Sequence, residues 1–200
     1  MDSIPDKNIH DAFQTIVQNY DQLTIKVNDQ DAFNKLARVE GSLVSSYSKN
    51  SKSEQYFQTI VIYYADHLIG AISFFVAKNE MRKVKNNLYE RIDIVVVPKR
   101  FRGNGISKAL VLLAIHYCNI SFGNRIYSIS CLAAHEAISR VLDGLNFRCN
   151  RGNDENFSRH SIYFDPSESQ EYAKLIEENL KSAIHRINYK LHKEIGSIKS

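Results

Sequence analysis

The chain has 200 residues, of which 44% are hydrophobic and 24% are charged, and its formal net charge at pH 7 is +4. This composition is typical of one globular domain with an appendage, whose core is large enough to need no disulfides, and no apolar run approaches the roughly 20 residues that span a bilayer. The charge suits an anionic cofactor but is too small to predict binding to nucleic acid.

The cysteines and histidines predict neither disulfides nor a metal site. Cys118, Cys131 and Cys149 are odd in number and widely spaced, and the chain contains neither a Cys-x-x-Cys pair nor a His-Glu-x-x-His motif. The stretch from Met1 to Lys7 is polar and lacks the basic and apolar regions of a secretory signal. We therefore expect a cytoplasmic protein without a metal.

The N-terminal third is predicted to contain two helices and one strand. Asn8 or Asp11 is a suitable cap for the first helix, the alternating run at 23–27 predicts the strand, and the second helix is expected from near Asp31. A polar loop is predicted at 45–53.

The runs 56–64 and 68–76 are predicted to form a hairpin, because both are rich in aromatic and β-branched residues. Gly70 lies inside the second run. A charged connection follows at 78–87, and the next strand is expected to begin as early as Leu88.

The most informative stretch joins a strand to a helix through a glycine turn. The apolar run Ile92–Val97 ends at Pro98, and a basic turn with Gly103 and Gly105 follows. Glycines can adopt positive φ, so successive backbone N–H groups can converge at a helix start, where an anion is favoured. The glycine spacing excludes a Walker loop and a dinucleotide fingerprint. Spacing alone is equally compatible with a solvated turn.

A parallel pair of strands is predicted around this turn. Apolar residues recur from Ile106 to Tyr117 at intervals of three and four, which predicts a helix, and a short strand follows at 127–130. A crossover helix makes the two strands parallel, and parallel neighbours that part open a crevice at their C-terminal ends. Two further strands are expected at 148–151 and 159–165.

A long amphipathic helix is predicted at the C-terminus. Asp165, Pro166 and Glu168 form a helix start, an apolar stripe then runs from Tyr172 to Leu191, and the helix is expected to be about 28 residues long. The stripe has three alternatives: packing across its own domain, pairing with a second copy, or binding another protein. We favour packing, with a homodimer through this helix as the main alternative.

The run from Val95 to Ser107 resembles the acetyl-CoA-binding motif of the GCN5-related N-acetyltransferases (GNAT), Gln/Arg-x-x-Gly-x-Gly/Ala. Arg102 takes the first position, Gly105 takes the fourth, and Ser107 replaces the last; a literal match begins at Arg100. The resemblance implies an α/β (α+β) fold in residues 1–165, followed by a helical extension at 166–200. Its sheet is mixed and mostly antiparallel, with six to seven strands, a splayed parallel pair formed by the fourth and fifth strands, and flanking helices.

The resemblance also implies an activity and a cosubstrate. The family transfers an acetyl or acyl group from acetyl-CoA to a primary amine by direct attack in a ternary complex. Carried over to this chain, the backbone of Val95 and Val97 contacts the pantetheine arm. The residues implied at the diphosphate are Arg102, Gly103, Asn104, Gly105, Ser107 and Lys108.

Three residues are candidates for proton transfer. Glu90 and Asp93 lie on the fourth strand, where some family members carry a catalytic base, although for each the favoured interpretation is a structural carboxylate. Tyr127, on the fifth strand, is a candidate acid. Leu142 occupies the position of the tyrosine that in many members protonates the leaving thiolate, and leucine cannot donate a proton.

The segment 135–147, which includes Leu142, resembles the second signature of the family, with two further departures. His135 replaces an asparagine, and Asn146 replaces a glycine that serves a left-handed turn, a conformation that asparagine tolerates. Two alternative functions stay open: a protein of the same fold that binds acyl-CoA without efficient turnover, and a module that binds polyanions through its basic turn. The sequence does not identify the acceptor.

Overall fold

The computed structural model describes residues 6–40, 56–78, 88–123, 126–133, 136–151, 158–163 and 169–196. The helices are α1 (Asp6–Val17), α2 (Gln30–Val39), α3 (Ile106–Phe122), α4 (Glu136–Asp143) and α5 (Ser169–Gly196). The strands are β1 (Leu23–Val27), β2 (Tyr56–Tyr64), β3 (His67–Lys78), β4 (Leu88–Val96), β5 (Ile126–Ala133), β6 (Arg148–Arg151) and β7 (Ser158–Tyr163). The predicted loop at 45–53, the helix start at 165–168 and His135 lie outside the described residues.

The strands form one sheet in the order β1-β2-β3-β4-β5-β7-β6. Neighbouring strands are antiparallel except for β4 and β5, which are parallel. The crossover through α3 explains this exception, because a parallel pair needs a long connection. The predicted mixed sheet with a C-terminal helix is confirmed.

Helices cover the two faces of the sheet unequally. On one face, α1, α3, α4 and α5 contribute to a single large apolar cluster with the sheet. On the other face, α2 packs Phe33, Leu36 and Ala37 against a smaller patch that includes Val61 and Val96. The central helix α3 is buried almost all round, because it lies between the sheet and α5.

Helix α5 shares the main core. Ile176, Leu180, Ile184 and Ile187 lie on one stripe and are almost completely buried in the same cluster as α3. The chain itself therefore covers the predicted apolar stripe. No described helix combines the length and the apolar character that crossing a membrane requires.

Two local predictions have different outcomes. Helix α1 already includes Asp6, so Asn8 and Asp11 lie inside the helix and neither is its cap. By contrast, Asn146 adopts the left-handed conformation expected of it, with φ 63°, at the turn after α4. Asparagine replaces glycine there because its short polar side chain tolerates this region.

Candidate functional site

The parallel pair of strands separates before either strand ends. Pairing runs from Leu88 opposite Ile126 to Ile92 opposite Cys131. Beyond this point β4 continues to Val96, bonded to β3, while β5 continues along β7. The C-terminal ends of β4 and β5 thus diverge and leave a crevice between them, as the sequence predicted.

A β-bulge lies where the strands part. Phe74 pairs with Ile92 but Ser73 pairs with Ile94, so Asp93 is an extra residue in β4. An extra residue bends its strand and increases the local twist, which explains why β4 leaves β5 here. Asp93 is half-buried and follows the last parallel pair directly, so it lies at the mouth of the crevice.

The turn before α3 places the first helical N–H groups beside open space. Gly103 and Gly105 both have φ 85°, and Gly105 is the residue preceding the helix. The amide of Ala109 donates to the carbonyl of Gly105 at 3.2 Å, and the earlier N–H groups precede this first helical bond. A side chain built at either glycine would meet no atom within 4 Å. This arrangement fits a diphosphate, since the helix dipole adds positive potential at the same point.

The side chain of Arg102 holds the turn in place. Its Nε donates to the carbonyl of Val97 at 3.0 Å, and its Nη2 donates to Glu40 at 3.1 Å, at the end of α2. The guanidinium thus links the turn to both β4 and α2. The role of Arg102 toward a coenzyme stays a prediction.

Lys190 of α5 reaches the same turn, a contact that no sequence pattern indicated. Its Nζ donates to the carbonyl of Gly103 at 2.9 Å, although the two residues lie 87 positions apart. In the sequence, Lys190 belongs to the basic end of a long helix, where its charge suits the helix dipole. The packing of α5 along α3 brings this charge to the glycine turn.

The other residues predicted to bind the coenzyme lie around the same turn. Asn104 is buried, Ser107 and Lys108 are half-buried in the first turn of α3, and Val95 is half-buried near the end of β4. Val97, the first residue after β4, is buried.

Glu90 lies inside the core. Its carboxyl group is fully buried between the sheet and α3, and neither oxygen has a nitrogen or oxygen donor among the described residues. Burial raises the pKa of this carboxyl to about 8, and the thiol of Cys118, a weak donor, opposes the rise only in part. Glu90 is therefore protonated at neutral pH and does not reach the mouth of the crevice.

Tyr127 and Leu142 also lie away from that mouth. Tyr127 is near the start of β5, about 13 Å along the strand from Cys131 at 3.3 Å per residue. Leu142 is completely buried in the main core. Of the three residues considered for proton transfer, Asp93 is the one that the fold places at the crevice.

Comparisons with known proteins identify the fold. No family model matches the chain, and no curated protein matches it. Among solved structures, a mutant of the AtaT toxin bound to the C-terminus of the antitoxin AtaR and acetyl-CoA aligns with a TM-score of 0.51 and 16% identity, over 78% of this chain and 98% of its own. Arabidopsis thaliana NAA60 in complex with acetyl-CoA aligns with a TM-score of 0.50 and 16% identity, over 70% of this chain and 100% of its own.

These identities are low, so the likeness concerns the fold. The AtaTR structure bound with acetyl-CoA agrees, with a TM-score of 0.51 and 15% identity over 78% of this chain and 98% of its own. The seven-stranded sheet, its splayed parallel pair and the glycine turn before α3 are the features that the sequence resemblance implied. The chain has the fold of the GCN5-related N-acetyltransferases.

Proposed function

We propose that this protein is an N-acetyltransferase that transfers an acetyl group from acetyl-CoA to a primary amine. The observation that carries the proposal is the end of β4–β5 pairing at Ile92 and Cys131, next to the glycine turn. A diphosphate held at the turn has its attached arm directed along α3 into the crevice. A ligand that carries a diphosphate and a long arm needs the glycine turn and the crevice next to each other.

The coenzyme contacts follow from the described geometry. The amides between Gly103 and Lys108 receive the diphosphate, and the side chain of Lys190 adds a positive charge beside them. The edge of β4 that β5 has left, including Val95, offers its backbone to the pantetheine amides as a neighbouring strand would. Arg102 keeps the turn rigid, which lowers the entropy cost of binding.

The proposed reaction is direct transfer. The acceptor ammonium loses a proton to Asp93, directly or through one water, and the neutral nitrogen then bonds to the acetyl carbonyl carbon. The carbon–sulfur bond breaks, the nitrogen releases its second proton to water as the neutral amide forms, and the thiolate takes a proton from water because Leu142 cannot supply one. The thioester is already an activated acyl donor, so the step as written needs no metal.

The test measures free thiol released from acetyl-CoA in the presence of amino acids, polyamines, aminoglycosides and peptides. We expect release with at least one class, and we expect Asp93→Asn to lower kcat by about 10²–10⁴-fold while coenzyme affinity stays within twofold. A protein that fails to bind coenzyme A in calorimetry would contradict the proposal.

A second candidate is a protein that binds acyl-CoA without efficient turnover. The burial of Leu142, at the position where many members of the fold family carry a proton-donating tyrosine, favours it. Coenzyme binding without thiol release across all four amine classes would establish this second function instead.

The cytoplasmic location and the homodimer through α5 stay predictions. Because α3 already covers the apolar stripe of α5, a dimer would have to use its outer face, where Leu175 and Tyr189 are exposed. The molecular mass in solution, measured by light scattering, tests the dimer.

A further inference from the structure

A polar cavity lies on the face of the sheet opposite α3. Register places Arg91 beside Ser130, Ser130 beside Ser161, and Ser161 beside Arg148 across four strands, so these side chains share one face. The cavity here has a volume of about 210 Å³. A volume of about 150 Å³ is enough to hold benzene, so this cavity has room for a small ligand or a side chain.

The cavity is positively charged. Arg91 and Arg159 both line it, together with the hydroxyl groups of Ser128, Ser130 and Ser161. No ion pair within the described ranges joins either arginine to a carboxylate. The guanidinium of Arg91 is held over the ring of Phe75, with its carbon 5.3 Å from the ring centre.

This set of groups favours an anion. A guanidinium presents several N–H donors in a plane that matches a carboxylate or a phosphate, and stacking on an aromatic ring fixes its orientation. Serine hydroxyls add further donors. An anionic ligand would balance the charge of the two guanidinium groups, whereas a cationic one would be repelled by both.

The cavity begins where the parallel strands part. Ser130 and Cys131, which line it, face Arg91 and Ile92 in the last two parallel pairs. Asp93 follows immediately, at the bulge. The cavity thus adjoins the bulge that carries Asp93, and its own lining includes two cationic side chains.

We propose that this cavity binds the acceptor through an anionic group, a carboxylate or a phosphate, carried a few bonds from the reacting amine. The ammonium end then lies toward Asp93 and the anionic end toward Arg91 and Arg159. The assignment of the bound molecule as acceptor rests on the proposed acetyl transfer; recognition of the anion does not.

The test uses matched amines and the full-length protein. β-Alanine is compared with β-alaninamide, and O-phosphoethanolamine with ethanolamine, so that each pair differs in its anionic group and the two pairs separate carboxylate from phosphate. Binding is measured by calorimetry, and transfer by thiol release. We expect at least one compound with an anionic group to bind at least 10-fold more tightly than its partner without that group.

The variants are Arg91→Gln and Arg159→Gln, with Lys174→Gln as the control for loss of one positive charge on the exposed surface of α5. We expect each arginine variant to weaken binding of the compound with the anionic group about 10-fold and binding of its partner without that group less than twofold, and we expect the control to change neither. Thermal melting checks that each variant is folded. If Arg91→Gln has a lower melting temperature than the wild type, the test of the anion site rests on Arg159→Gln, because Arg159 is exposed.

The outcomes separate this inference from the proposed function. Equal binding of the compounds with and without the anionic group, or equal losses for both in the variants, overturns the inference even if acetyl transfer occurs. Arginine-dependent binding of an anionic amine without thiol release supports the anion site and contradicts its role as an acceptor site.

Discussion

Glu90 shows how a single residue can oppose the stability of its own fold. Strand alternation turns Leu88, Glu90 and Ile92 to the same buried face, so the position that packs best for an apolar side chain carries a carboxyl group. Burial removes the water that would stabilise the ionised carboxylate, and no cation among the described residues is paired with it. The loss of hydration raises the pKa of Glu90 to about 8.

We predict that Glu90→Gln removes a large pH dependence of stability. Between 4.5, the ordinary pKa of a glutamate, and the folded pKa of about 8, the native state holds a proton that the unfolded state has lost. Stability therefore falls as pH rises, by about 1.4 kcal/mol per pH unit. Thermal melting at pH 5, 6, 7 and 8 measures this: the melting temperature of the variant relative to that of the wild type should rise by roughly 3–5 °C per pH unit. A constant difference across this range would show that Glu90 does not titrate there.

Gly105 is a second residue whose effect can be isolated. We predict that Gly105→Ala lowers the affinity for coenzyme A at least 10-fold. The added methyl group projects into the space proposed for the diphosphate, and a φ of 85° is unfavourable for alanine. Calorimetry measures the affinity. Gly123→Ala is the matched control: Gly123 also has positive φ and open surroundings but lies at the far end of α3. Equal losses in both variants would attribute the effect to general destabilisation.

At the scale of elements, the position of α3 determines the site. Gly70 of β3 lies directly beneath the start of this helix, where an added Cβ would be 2.6 Å from Cγ2 of Ile106. The missing side chain lets the first turn of α3 approach the sheet closely. Gly70, a glycine inside a strand, thus sets how close the glycine turn before α3 lies to the sheet.

Helix α5 contributes to the same site from the other side. We predict that Lys190→Met lowers the affinity for coenzyme A by about 3–10-fold and leaves kcat unchanged. The reason is that the Lys190 ammonium is near the position proposed for the diphosphate and remote from that proposed for the reacting carbon. Lys193→Met, one turn away and exposed, should leave both values unchanged. Measurement of KM for acetyl-CoA at two salt concentrations checks this, and an equal effect of both substitutions would contradict it.

At the scale of the whole molecule, α5 and the sheet belong to one core. We predict that Leu180→Ala costs about 2–5 kcal/mol of unfolding free energy, because Leu180 is completely buried between α5 and α3. Leu175→Ala, on the exposed side of the same helix, should cost less than about 1 kcal/mol. Urea unfolding followed by far-ultraviolet circular dichroism and by tyrosine fluorescence measures both.

The same experiment tests the domain boundary expected near residue 165. If α5 were an independent extension, the wild type would unfold in two steps, and Leu180→Ala would shift only the step in which α5 unfolds. One shared transition that moves as a whole would instead show that the helix and the sheet fold together.

Local patterns in the sequence determined the elements and the glycine turn. Alternation at 23–27, periodicity from Ile106 to Tyr117, and two glycines after Pro98 depend on neighbours a few residues away, so they can be read without a structure. The resemblance of the run from Val95 to Ser107 to a family motif, and not these patterns, implied the fold and the stretch proposed to bind the coenzyme.

Tertiary structure alone decided which polar residues meet. Alternation places Glu90 and Asp93 on one strand, but the bulge in β4 and the packing of α3 send one into the core and the other to the crevice. The contact of Lys190 with the glycine turn and the arginine-lined cavity join residues from distant parts of the chain. Such contacts depend on strand order, register and helix packing, which no short stretch of sequence contains.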